Sequence, residues 1–83
     1  MQVVLVTRQG CHLCDQALAL LQGLGLHPEL RDVDADDELF RLYDWRVPVV
    51  LADGVVVAEG KVTRDQLLRS GLSGGAGKAP DTV

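Results

Sequence analysis

Apolar positions change spacing repeatedly along this chain, and each spacing predicts an element. Residues 2–6, QVVLV, are a short run of branched aliphatic residues, the pattern of a buried strand. After a turn at Arg8-Gln9-Gly10 the spacing lengthens. Leu13, Ala17, Leu20 and Leu24 recur at helical intervals, with Asp15, Gln16 and Gln22 off that face, which predicts a helix over 12–22. Gly23 and Gly25 end it, and Pro28 forbids its continuation. Residues 28–34, PELRDVD, predict a second, more polar strand. Asp34 is placed to cap a second helix reaching about Tyr43, and Asp36, Asp37 and Glu38 load its first turn with charge that complements the helix dipole.

PVVLA (48–52) and VVVAE (55–59) predict two further strands, joined by Asp53-Gly54, a strong signal for a two-residue hairpin. Thr63-Arg64-Asp65-Gln66 fits a capping box, Thr at the N-cap and Gln at the third helical position, opening a last helix through Arg69. From Ser70 the chain reads SGLSGGAGKAPDTV. Residues 71–83 are expected to be a flexible tail on a domain of residues 1–70. The order β-α-β-α-β-β-α puts the first two strands parallel, with a right-handed crossover, and the last two in a hairpin. The expected fold is α/β, a four-stranded mixed sheet with helices on both faces.

Composition narrows the classes. The chain has 83 residues, 47% hydrophobic and 24% charged, which suits one small globular domain. Its net charge is −4, and Lys and Arg form no run or stripe. Nucleic acid is therefore not an expected partner, because such binding rests on neutralising phosphates. No apolar run approaches the ~20 residues that span a bilayer. The start, MQVVLVTRQG, has neither a basic n-region nor a cleavage site of small residues. The expectation is a cytoplasmic protein without a membrane partner, and a monomer. In that compartment thiols are kept reduced, so a close cysteine pair points to catalysis or metal binding before a structural disulfide.

Both cysteines fall in TRQGCHLCDQALALL (7–21), two residues apart. Three readings compete: redox chemistry, a metal site, or two small buried side chains. A structural zinc site needs four ligands as a rule, and His27 lies at the far end of the helix from Cys11. A C-x-x-C after a first strand, at a helix start and inside a βαβ pattern, favours redox. Cys11 is expected at or near the N-cap, where unpaired N–H groups and the helix dipole stabilise a thiolate. Such placement lowers a cysteine pKa from ~8.5 into a range of ~3.5–7.5. Cys11 is then the nucleophile, and Cys14, one turn inside, the resolving cysteine. His12 can modulate the thiolate or only occupy the turn. Arg8 can steer an anionic thiol substrate or be an ordinary loop arginine. Asp15 reads as a first-turn helix acid.

A second signal is WRVPVV (45–50), a proline opening a strand after a β-branched residue. CHLC together with VP, in this order of strands and helices, resembles the thioredoxin superfamily, and the length and order resemble glutaredoxins. The resemblance covers residues 2 to about 70. It implies a cis bond before Pro48, packed beside the cysteines. It also implies that the Val47 N–H and C=O pair with the backbone of a bound thiol substrate, and that Pro48 keeps metal away from the pair. Arg8 stands where glutaredoxins often have Lys. The chain departs from the family in having His12 where Pro is usual and Leu13 where an aromatic residue is usual. AEGKVTRD (58–65) stands in place of the Gly-Gly and Cys-Ser/Thr-Asp segment that holds glutathione. Arg46 can face a glycyl carboxylate of glutathione or an acidic partner, or be an ordinary edge-loop arginine, while Tyr43 and Trp45 are expected to pack under the loop.

The function expected from these residues is thiol–disulfide oxidation and reduction. Cys11 and Cys14 would be catalytic, with Arg8, His12, Arg46, Val47 and Pro48 binding a protein or small-molecule thiol or disulfide. No resident cofactor or metal is expected, and glutathione is a candidate co-substrate. Two other readings stay open: an iron–sulfur cluster carrier bridged between subunits, and a redox-sensing interaction domain that turns nothing over.

Overall fold

The computed structural model describes residues 2–72, so most of the expected tail, from residue 73, lies outside the described residues. Four strands, β1 (Val3–Thr7), β2 (Glu29–Asp32), β3 (Val49–Ala52) and β4 (Val55–Glu59), alternate with helices α1 (His12–Gly23), α2 (Asp37–Tyr43) and α3 (Arg64–Arg69) in the order β-α-β-α-β-β-α. They form one mixed sheet ordered β2-β1-β3-β4. β1 runs parallel to β2 and antiparallel to β3, and β3 and β4 form a hairpin. Asp53 and Gly54, both at positive φ, make its two-residue turn, the primed geometry that matches strand twist.

Alternation along the strands divides the core between the two faces of the sheet. Val3 and Leu5 of β1, Val50 of β3 and Ala58 of β4 pack with Ala17 and Leu21 of α1 and Leu67 of α3. Val6 and Val49 turn to the other face, where Val33, Leu39 and Tyr43 cover them. A β-bulge opposite Val50 and Leu51 puts an extra residue, Val57, into β4, so that adjacent Val57 and Ala58 both serve the first face. Helices α1 and α3 thus lie on one face and α2 on the other, as the order of elements implied. Among the described residues no helix is long and apolar enough to cross a membrane.

Two helix ends are closed by the same device. At the end of α1, Leu26 N–H donates to the Leu21 carbonyl and Gly25 N–H to that of Gln22, with Gly25 at φ 81°. At the end of α3, Leu72 N–H donates to Leu67 and Gly71 N–H to Leu68, with Gly71 at φ 82°. These are Schellman motifs, in which the residue after the left-handed glycine packs on the third residue from the helix end. The second one buries Leu72 fully against the core, so the packed chain runs two residues past the expected limit at 70.

Three local expectations are corrected. The cap of α2 is Asp36, whose Oδ1 accepts from the N–H groups of Glu38 and Leu39. Asp34 is outside the helix and paired elsewhere. The buried stripe of α1 is Cys14, Ala17 and Leu21, one position round from the face expected, and Leu13 is exposed. Trp45 does not pack under its loop but is 95% exposed.

Candidate active site

The C-terminal end of β1 delivers the chain to Arg8-Gln9-Gly10. There Cys11 N–H donates to the Arg8 carbonyl (3.2 Å), and Gly10 sits at φ 75°. A residue with a Cβ is strained at that angle, so glycine is what lets the chain reverse here without cost. The reversal sets Cys11 down as the N-cap of α1, in extended conformation. Its sulfur takes the place of the usual capping oxygen and accepts the N–H of Cys14 at 3.1 Å. Cys11 and Cys14 are joined as a disulfide with Cα atoms 5.2 Å apart. Cys11 is half-buried, whereas Cys14 is 2% exposed and belongs to the inner face of the helix.

The first helical turn therefore holds one partly accessible and one enclosed cysteine. The first lies at the end of α1 where N–H groups and the helix dipole favour negative charge. His12 and Leu13, between the cysteines, are both exposed. His12 Nε2 lies 3.1 Å from Gln16 Nε2 along the outer side of the helix. Asp15 is exposed in the first turn.

The α2–β3 connection reaches the same end of the sheet. Val6 of β1 is paired with Val49 of β3, so Pro48 enters β3 where β1 leaves for the cysteines. The Val47–Pro48 peptide bond is cis. Pro48 is buried, and its carbonyl accepts from Gly60 N–H at 2.9 Å. Val47, half-buried just before it, has no hydrogen-bond partner for its N–H or C=O among the described residues.

Two arginines lock these loops together. Arg8 donates through Nε and Nη2 to both carboxylate oxygens of Asp34 (2.9 and 2.8 Å), and also to the carboxylate and backbone carbonyl of Asp44. Its guanidinium lies 6.0 Å from the centre of the Phe40 ring. These bonds from Asp34 and Asp44 raise the Arg8 pKa further, and those from Arg8 hold the Asp34 carboxyl below its ordinary range. Arg46 makes a two-pronged pair with Glu59 (2.8 and 2.6 Å) over the Tyr43 ring. That pairing raises the Arg46 pKa and lowers that of Glu59. Arg8, expected either to steer an anionic thiol substrate or to be a loop arginine, and Arg46, a candidate for a substrate carboxylate, are each paired with carboxylates of the chain and fasten loops.

Cys11, Cys14, Val47 and Pro48 are thus brought to one end of the sheet, with Arg8 and Arg46 as fasteners beside them. Trp45, between Asp44 and Arg46, stands out from the same connection. A groove between α1 and α3, lined by Gln16, Ala19, Leu20, Gly23 and Arg64, includes neither cysteine. Among the described residues no group of three or more His, Cys, Asp and Glu side chains is disposed to hold a metal ion.

Comparison with known proteins agrees with this layout. Residues 2–70 match the model of a family described as a glutaredoxin-like domain. A solution NMR structure of a protein from Nitrosomonas europaea superposes with a TM-score of 0.74 at 31% identity, over 87% of this chain and 91% of that one. An X-ray structure of a protein from X. campestris superposes with a TM-score of 0.69 at 30% identity, over 84% and 93%. No curated protein matches the chain.

Proposed function

The chain belongs to the glutaredoxin-like domain family, and from that premise we propose that it is a dithiol thiol–disulfide oxidoreductase. The observation that carries the reading is the contrast within the first turn of α1: a half-buried Cys11 at the N-cap, bonded to an enclosed Cys14. In the reduced protein the Cys11 thiolate attacks one sulfur of a substrate disulfide. The substrate S–S bond breaks, one substrate sulfur leaves as a thiolate, and the other is held as a mixed disulfide. The Cys14 thiolate then attacks the Cys11 sulfur and expels the second substrate thiolate. Two electrons have passed to the substrate, which takes up two protons, and the Cys11–Cys14 disulfide remains. An external thiol reductant restores the dithiol.

Each residue has a task in this scheme. The N–H of Cys14 and the N-terminal dipole of α1 stabilise the attacking thiolate. Val47, whose backbone groups have no partner among the described residues, aligns an extended substrate in the manner of an added strand. Pro48 donates no hydrogen bond and seals the floor beside it. His12 sits on the rim between the cysteines.

Titration in glutathione redox buffers tests the reading, with acid quench, alkylation and intact mass to count thiols. Loss of both thiols together, with two-electron dependence between roughly −150 and −300 mV, is expected of such a couple. Addition of one glutathione to Cys11 would point to a monothiol route. Absence of oxidation across the range would overturn the proposal.

A further inference from the structure

The charges around the cysteines bear on the substrate, given the oxidoreductase reading. Glutathione carries two carboxylates and one ammonium group, and uncommitted cations beside the site favour holding its carboxylates. Here both neighbouring arginines are committed, Arg8 to Asp34 and Asp44, and Arg46 to Glu59. Residues 32–44, which Arg8 ties to the cysteine loop, carry six carboxylates and one arginine. An anionic tripeptide approaching this flank meets net negative charge, which costs affinity and on-rate.

The apolar features at the site point the other way. Trp45 is the only tryptophan in the chain and is 95% exposed. It follows Asp44, which is hydrogen-bonded to Arg8, and precedes by two residues Val47, whose backbone groups have no partner among the described residues. Leu13, between the two cysteines, is 39% exposed, and Phe40, beneath Arg8, is 45% exposed. An indole can bury ~150–250 Å² on a partner, and tryptophan is among the residues that concentrate binding energy at interfaces. Trp45 and the Val47 backbone along which a peptide would extend share the α2–β3 connection, two residues apart.

We infer that Trp45 is a specificity-determining residue, and that the site takes cysteines of neutral or basic polypeptide segments bearing an apolar side chain near the cysteine, in preference to glutathione. Val47 pairs with the peptide backbone, Trp45 covers the apolar side chain, and the acidic flank selects against negative charge. The bond made and the bond broken are those of the first exchange step: Cys11 gains one sulfur of the peptide disulfide, and the other leaves as a thiolate.

The test follows that first step in reduced protein carrying Cys14→Ser, which stops it at the mixed disulfide. Three probes are compared by quenched-flow intact mass: the disulfide dimer of the blocked peptide acetyl-Leu-Lys-Cys-Leu-Lys-amide, oxidised glutathione, and bis(2-hydroxyethyl) disulfide. The peptide is expected to react about tenfold faster than oxidised glutathione, a difference of ~1.4 kcal/mol in barrier. Trp45→Ala is expected to lower the ratio of peptide to hydroxyethyl rate constants about tenfold, and Trp45→Phe to recover most of it. Trp45 emission should shift to the blue in the peptide mixed disulfide and stay unmoved on glutathionylation. Oxidised glutathione reacting as fast as the peptide, or an unchanged ratio in Trp45→Ala, would overturn the inference while leaving the oxidoreductase reading intact. Failure of Cys11 to react with any of the three would overturn both.

Discussion

Cys11 and Cys14 are the same residue type three positions apart, and the helix start gives them different chemistry. In the proposed mechanism only Cys11 can begin an exchange, because Cys14 is enclosed. Cys14→Ser is therefore expected to accumulate a stable adduct with a disulfide probe, visible as one added thiol mass, while Cys11→Ser accumulates none. Adducts of equal yield on the two variants would contradict the division of roles. Asp34 gives a second prediction at this scale. Arg8 holds its carboxyl below the ordinary range, so the folded state favours the charged form. The stabilisation is present above the unfolded carboxylate pKa and fades as pH falls through the lower folded value. Asp34→Asn should therefore shift the urea midpoint downward near neutrality and converge with the parent in strong acid. Asp34 is exposed and Arg8 partly so, so the shift is expected to be small.

Residue placements were only partly legible beforehand. The cysteine spacing pointed to the start of a helix, and the pair lies there, Cys11 at the N-cap of α1 and Cys14 in its first turn. The partners of Arg8 and Arg46 were hidden, since Asp34, Asp44 and Glu59 lie on other elements and no local pattern announces them. Trp45 was expected in the core because aromatic residues usually are. Its neighbour Tyr43 takes the inward place against the second cluster, and a turn closed by Arg46 N–H on the Tyr43 carbonyl (2.8 Å) carries Trp45 past it.

At the scale of elements, local signals that satisfy backbone groups proved the most readable. The capping box at Thr63 and Gln66 is formed in both directions, each bond close to 3.1 Å. Thr63→Ala is expected to cost about 1 kcal/mol, read from urea denaturation of the oxidised protein. A six-residue α3 has few other bonds to hold its first turn. The start of α2 was harder to place, because an acid-rich stretch offers several caps. Asp36 takes the role because buried Val33 keeps Asp34 in the loop, where Arg8 reaches it. The face of α1 lies one position round from the stripe marked by Leu13, because Cys14 belongs to it. Counted as a small apolar side chain, Cys14 completes the stripe with Ala17 and Leu21. The paired stretches LQGLGL (21–26) and LLRSGL (67–72) share Leu-x-x-x-Gly-Leu. That spacing is the trace of the two Schellman motifs, and it could have placed Leu72 inside the fold.

For the whole molecule, the sheet's two faces carry unequal shares of the core. The face under α1 and α3 holds most of the fully buried side chains, including Leu21, Leu67 and Leu72. Leu72→Ala is expected to destabilise by about 2–5 kcal/mol, as other enclosed leucines do, although it follows the last helix. A urea midpoint equal to that of the parent would show that the chain's packing ends earlier. The face under α2 is thinner and carries the acidic connections, so the site lies at one end of an unevenly insulated sheet.

The Arg8 clasp binds segments that are far apart in the chain: the turn before Cys11, the connection before α2, and the end of α2. Small domains open locally in cooperative units with their own free energies, and a bond shared by three segments merges their openings. Amide deuteration at Cys11, Ala35 and Arg46, whose N–H groups are each bonded in one of those turns, is thus expected to proceed at similar rates in the parent. With Arg8→Met the three rates should rise and separate, each turn then fluctuating on its own clock.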